Sequence, residues 1–343
     1  MFTPEEMFDA LLDKAAEKIA ADTLFGELYQ NRAALHEKLR GRAFSLLYLE
    51  VPLMGEPGFD FHIVYDVKDL SAGVMLQRRG MLSRPFAAPE NDFLDWYTRE
   101  KPDGDGPDIV YDLRDGLDLP PMVYLKMSDC TPDFDSFFAK TGDKGAAARL
   151  RDLWSKLPPG WHPWYTGEHG GRKGKPLRIG SALAADTQKS YAKNIGLFAG
   201  VLAKIGFHAR PSPMMLAKLE ELFSFPFAVD VQLDALEDSS VGDVLGISLM
   251  TNSLGRNALV QSFADGDMKD VMLLLEEWGG ADDRWKLLPK TTFSVSRIMR
   301  SATGERGRFI LSGSLNFVKV RFQGAGALAL DAKAYICLGA ARL

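Results

Sequence analysis

Along these 343 residues the spacing of apolar side chains switches repeatedly between about four, the mark of a helix, and two, the mark of a strand. The opening segment has the helical period, with Thr3 and Glu6 as a capping pair and Met7, Leu11, Ala15 and Ile19 on one face. A second helix carries Leu35, His36 and Leu39. Strand pairs then follow: Phe44–Val51 with Phe61–Val67 (and an extra strand at Val74–Arg79), Ile109–Arg114 with Met122–Met127, and Trp161–Glu168 with Leu177–Leu183. The last two pairs are Phe227–Leu233 with Val244–Met250, and Phe309–Phe322 with Lys333–Leu338, the latter turned by Gly324–Gly326. Helices are expected between the pairs at Asn91–Arg99, Phe134–Leu157, Gln188–Ile205, Pro213–Phe223 and Ala258–Trp278.

A helix–strand–strand–helix unit thus recurs about five times, at a spacing of about 65 residues, with negligible identity between copies. Short links within each pair suit hairpins and an antiparallel sheet. About ten strands whose linkers are all helical can cover one face of a sheet, and closing that sheet removes its edges. The expected fold is therefore α+β: a closed antiparallel ten-stranded β-barrel surrounded by α-helices, five αββα units in one domain spanning 1–343. A barrel of this size leaves a lumen that strand side chains do not fill.

Composition supports an ordered chain, with 46% hydrophobic and 25% charged residues. A net charge of −5 argues against a nucleic-acid partner, so any cationic site must be local. The N-terminal stretch is acidic and amphipathic, unlike a signal peptide, and no run reaches the ~18 apolar residues of a membrane span. Two cysteines, Cys130 and Cys337, cannot build a disulfide framework. A cytoplasmic protein without a membrane partner is expected.

Strand alternation sorts the side chains. Leu47, Leu49 and Val51 oppose Tyr48 and Glu50; Val123, Leu125 and Met127 oppose Tyr124 and Lys126; Leu177 and Ile179 oppose Arg178 and Gly180. Val229, Val231 and Leu233 oppose Asp230 and Gln232; Val318 and Val320 oppose Lys319 and Arg321; Ala334, Ile336 and Leu338 oppose Lys333 and Tyr335. If the apolar faces meet the helices, the lumen receives Lys126, Arg178, Lys319, Arg321 and Lys333, together with Tyr48, Tyr124, Tyr335 and Glu50. Crowding cations in a partly dry space is costly unless an anion neutralises them, and a diphosphate suits Arg forks and Lys point charges. Tyrosine faces beside it would stabilise an allylic cation. The alternative is an open sheet whose polar face meets water.

The spacing of Lys333 and Tyr335 in AKAYICLG, the preceding FVKVRF, and VYLKM with Tyr124 and Lys126 resemble strands of ABBA-type (PT-barrel) aromatic prenyltransferases, which include the dimethylallyltryptophan synthases and the cyanobactin peptide prenyltransferases. The resemblance implies that Lys126, Arg178, Lys319 and Lys333, with Arg321 beside them, hold an allylic diphosphate. It implies that Tyr124 and Tyr335 shield the cation and that Glu50 takes a proton from the acceptor. Tyr48, Trp164 and Asp230 are assigned to the acceptor pocket, for an aromatic small molecule or a peptide side chain such as Trp or Tyr. Mg²⁺ is a possible companion of the diphosphate; no other cofactor is indicated. A non-catalytic barrel binding a peptide or an anion, and an enzyme acting on another phosphorylated metabolite, are the competing readings.

Other motifs are less informative. GEHGGRKGKP, around the Gly170–Lys175 loop, is no Walker loop, because Pro176 stands where a Mg²⁺-binding Ser or Thr is needed; its Arg172, Lys173 and Lys175 could steer an anion. The histidines His36, His62, His162, His169 and His208 lack metal-ligand spacing, and Asp282 and Asp283 lack a second acidic pair.

Overall fold

A computed structural model describes residues 4–33, 35–36, 46–66, 105–111, 113, 122–126, 135, 138, 145–168, 176–207, 210–251, 253–300, 306–323 and 329–342. The extra strand at Val74–Arg79, the helix at Asn91–Arg99, the Gly170–Lys175 loop, the Gly324–Gly326 turn and Cys130 lie outside the described residues. The strands are β1 (Leu46–Pro52), β2 (Asp60–Asp66), β3 (Asp105–Tyr111), β4 (Met122–Lys126), β5 (Trp161–Glu168), β6 (Leu177–Leu183), β7 (Ala228–Ala235), β8 (Val241–Met250), β9 (Phe293–Arg300), β10 (Arg306–Gln323) and β11 (Ala329–Arg342). They form one sheet ordered β11-β1-β2-β3-β4-β5-β6-β7-β8-β10-β9. Since β11 also pairs with β10, all strands but β9 join a closed antiparallel ring of ten, as the alternating hairpins require.

By internal packing the chain divides into two compact units. The first comprises Met1–Leu119, Lys286–Leu315 and Ala334–Leu343. Its helix α1 (Pro4–Ala16) buries Phe8, Leu11, Leu12 and Ala15 completely. Phe8 meets Phe61 of β2 at 6.3 Å between ring centres, and Phe61 stacks on Tyr111 of β3 at 4.9 Å. Phe61 is the register partner of Leu49, so α1 covers the Leu47–Leu49–Val51 face of β1. Each such buried side chain stabilises by about 1.5–3 kcal/mol. The short helices α2 (Ala21–Phe25) and α3 (Glu27–Gln30) meet at Gly26, whose φ is +64°. A Cβ there would stand 2.3 Å from the Pro57 carbonyl oxygen, so only glycine fits.

The second unit comprises Pro120–Trp285 and Asn316–Lys333. Helix α4 (Ala146–Lys156) lies against β6 and β7. The single helix expected over Gln188–Ile205 is two, α5 (Ala185–Lys193) and α6 (Ile195–Lys204), broken where Asn194 turns its side chain to accept from the Gly196 N–H at 3.1 Å. Helix α7 (Pro213–Ser224) starts under Ser212, which accepts from the Met215 N–H at 3.1 Å. Trp161 of β5 donates to the Tyr191 hydroxyl at 2.8 Å and stacks on Phe198 at 5.9 Å, fixing α5 and α6 on the apolar face. The helix expected over Ala258–Trp278 is likewise two, α8 (Arg256–Asp265) and α9 (Asp267–Glu277), parted at Gly266. Of the helix expected over Phe134–Leu157, α4 forms the second half, and Asp135 and Phe138 are helical; most of the first half lies outside the described residues.

Two further differences concern strands. The expected Ile109–Arg114 lies earlier, at Asp105–Tyr111, and the last two strands run longer than their alternation indicated. Strand β9, absent from the sequence reading, follows a 3₁₀ segment at Asp283–Thr291 and pairs with the first half of β10. Just before that segment Asp282 accepts from the Arg284 guanidinium at 2.7–3.0 Å. No described helix is long and apolar enough to cross a membrane.

Candidate active site

Within the second unit, the face turned away from the helices is polar. On β7, Val229, Val231 and Leu233 are buried on the helix side, while Asp230, Gln232 and Asp234 share the opposite face. Strand register then aligns residues from distant parts of the chain. One row runs Lys126, Tyr165, Gly180, Gln232, Gly246, Arg321; the next runs Tyr124, Gly167, Arg178, Asp234; a third runs Ala182, Asp230, Ser248, Lys319.

The glycines in these rows make room for rings. A Cβ on Gly167 would come within 2.2 Å of the Tyr124 ring, and one on Gly180 within 2.0 Å of the Tyr165 ring. Each tyrosine therefore lies flat across the glycine of the neighbouring strand. The two rings meet edge to face at 5.6 Å. Gly246 is less crowded: an added Cβ would stand 3.1 Å from the Gln232 Cβ and 3.3 Å from the Lys319 Cε.

Tyr165 owes its place to a bulge. Strict alternation would set it on the face of Trp161, but the register shifts between Pro163 and Tyr165, leaving Trp164 as the extra residue. Trp164 donates to Asp230 at 2.8 Å and packs edge-on against Tyr165 at 4.6 Å. Burial raises the Asp230 carboxyl above its ordinary range, while donors from Trp164 and Gln232 and the charge of Lys319 pull it back in part. Burial likewise raises the Tyr165 hydroxyl, and Asp230 adds to the effect.

The cations of this face have distinct surroundings. Arg178 is buried and forks onto Asp234 through bonds of 2.8 and 2.9 Å. Burial opposes its charge, but Asp234 outweighs it and holds the guanidinium protonated. Arg321 pairs with Asp331 at 2.9 Å, and although burial acts to raise Asp331, Arg321 and Lys333 bring it below its usual value. Lys319 and Lys333 are only 5% and 7% exposed. Lys126 ends β4, half-buried.

A second cluster belongs to the first unit. Buried Glu50 on β1 accepts from the Tyr335 hydroxyl of β11 and lies 3.2 Å from His62 Nε2 on β2. The His62 ring stands edge-on to Tyr335 at 5.5 Å and to Tyr48 at 6.4 Å. Burial raises both Tyr48 and Cys337, the thiol to about 11; the hydrogen bond between them adds to the rise at Tyr48 and offsets part of it at Cys337.

Of the residues singled out in the sequence, Lys126, Arg178, Lys319, Arg321, Lys333, Tyr124, Trp164 and Asp230 thus lie in the second unit, and Glu50, Tyr48 and Tyr335 in the first. Tyr335 donates to Glu50 within the first unit. Tyr165, Asp234 and Gln232 were not singled out as site residues; Pro163 within a strand was the available sign of the bulge that turns Tyr165 inward. Among the described residues no group of three His, Cys, Asp or Glu side chains is placed to hold a metal ion.

No family model and no curated protein matches the sequence significantly. Solved structures do. The crystal structure of prenyltransferase PriB in its apo form superposes with a TM-score of 0.53 over 99% of this chain and 96% of that one, at 13% identity. The chain has the ABBA prenyltransferase fold. A ternary complex of PriB with L-tryptophan and dimethylallyl thiolodiphosphate gives a TM-score of 0.49 at 11% identity, covering 98% and 96% of the two chains. At these identities the ABBA likeness concerns the backbone, and the chemistry must be argued from the side chains.

Proposed function

We propose that this chain, acting as one domain, transfers a prenyl group from an allylic diphosphate, dimethylallyl or geranyl, to an aromatic acceptor: a small molecule, or a Trp or Tyr side chain of a peptide. The observation that carries the reading is the face bearing Lys126, Arg178, Lys319, Arg321 and Lys333 beside two tyrosine rings laid flat over glycines. Among the described side chains, three carboxylates (Asp230, Asp234 and Asp331) accompany those five cations there. A diphosphate would balance the excess. An ABBA barrel, the fold of a known prenyltransferase, is consistent with this chemistry.

On this reading the bond between the prenyl C1 and the diphosphate oxygen breaks, and its electron pair leaves with the diphosphate. The lysines and arginines stabilise the charge that develops there. Tyr124 and Tyr165 present their faces to the cation and carry no lone pair as accessible as water's. A ring carbon of the acceptor supplies the electrons of the new bond, and the proton it then loses passes to Glu50. Tyr48, Trp164 and Asp230 remain assigned to the acceptor.

Incubation of purified protein with dimethylallyl or geranyl diphosphate and with Trp, Tyr or peptides containing them should give products heavier by one prenyl group, read by mass spectrometry. Replacing Lys319 or Lys333 by Met should weaken diphosphate binding by about tenfold or more, measured by calorimetry. Diphosphate affinity left unchanged by both substitutions would overturn the site assignment. Tight diphosphate binding with every acceptor left unalkylated would overturn the activity.

A further inference from the structure

The hairpin made by β9 and the first half of β10 contains none of the residues assigned a chemical role above. In the sheet order β9 is terminal, with β10 as its sole strand neighbour among the described residues. An unpaired strand edge presents a row of backbone N–H and C=O groups to whatever can pair with them. Proteins usually blunt such edges, yet here Ser294, Ser296 and Ile298 on one face are exposed, Ile298 to 66%, and on the other face, where Phe293 and Val295 are part-buried, Arg297 is exposed.

Its charge is equally unusual. In a chain of net charge −5, Phe293–Arg300 and residues 306–313 hold four arginines and no acidic residue. Arg300 and Arg306 are direct register partners, and Arg308 is the partner of Ile298. Arg308 is exposed and reaches across to the Ser296 hydroxyl at 2.7 Å. Arg297, on the other face of β9, acts electrostatically on Glu17, but that carboxylate is already bound by Lys14 at 2.8 Å.

We infer that the outer edge of β9 is a docking site for an extended, acidic peptide segment, which adds to the sheet as a further strand. Backbone pairing supplies the affinity, Ile298 gives an apolar contact, and the arginines on both faces select carboxylates at alternating positions. A second copy of this chain is disfavoured as the occupant, because β9 would bring arginine and no carboxylate to the pairing. The inference is independent of prenyl transfer, since its readout is binding alone.

The test uses fluorescence anisotropy with a short labelled peptide of alternating Glu and Thr. The full chain should bind it and leave the matching Lys–Thr peptide free. Methylating alternate backbone nitrogens of the acidic peptide should weaken binding by about tenfold or more, as should the double substitution Arg297→Glu with Arg308→Glu in a protein whose circular dichroism is unchanged. Equal binding of methylated and unmethylated peptide to the wild-type chain would overturn strand addition, whatever the variants do. Tighter binding of a short duplex DNA, or a sedimenting dimer abolished by the same double substitution, would overturn the choice of partner.

Discussion

A tyrosine lying flat over a glycine is a contact with no slack. The Tyr165 ring occupies the volume that a single methyl on Gly180 would need, so Gly180→Ala must either tilt the ring or push β6 from β5. We expect a loss of about 1–3 kcal/mol in urea unfolding, and a smaller loss when Tyr165→Ala is already present, because the clash is then gone. Cys337 gives a second residue-level expectation. Burial raises its thiol to about 11, so it stays protonated, and slow to react, well into the alkaline range. In a Cys130→Ser background, iodoacetamide should label the native chain far more slowly than the urea-unfolded chain at pH 8–9, where thiols ordinarily ionise. The sign of the linkage follows: with the folded value above the unfolded one, this group's contribution to stability is intact below about pH 9 and is lost as pH rises through about 11.

Strands show how far each inference could travel. Pairs such as β7 and β8 were evident because Val229, Val231 and Leu233 face Leu249, Ile247 and Leu245 in unbroken alternation, up to the register shift beyond Leu233. β9 was not, since in FSVSRIMR only Phe293 and Val295 among the described side chains form a part-buried face, too short an alternation to mark a strand. Tyr165 was concealed for another reason: the bulge at Pro163 reverses the parity of the residues that follow, and counting by twos fails across it. Arg178 was recognised as facing away from the helices, but not its fork onto Asp234. That pairing depends on the register between strands joined by three helices, which no local pattern encodes. Removing one partner tests it. Arg178→Met should cost about 3–5 kcal/mol in urea unfolding by removing the fork onto Asp234, and adding Asp234→Leu should restore part of that loss.

At the scale of the molecule, β11 is the strand that turns a curved sheet into a ring, since it pairs with both β1 and β10. A chain ending before Ala329 would keep most of its helices yet bare two strand edges. We expect it to lose cooperative unfolding, seen as a broadened denaturation curve, and to aggregate on concentration. Ring closure also has a temporal side. Glu50 and the tyrosine hydroxyl it accepts from are 285 positions apart. At ribosomal speeds of about 5–20 residues per second, β1 would wait roughly 15–60 s for its second neighbour to be made. During that interval its open flank, with a carboxylate destined for burial, faces the crowded surroundings of the nascent chain. A holding chaperone, or slowed neighbours on the polysome, would then govern yield more than any single contact in the finished protein.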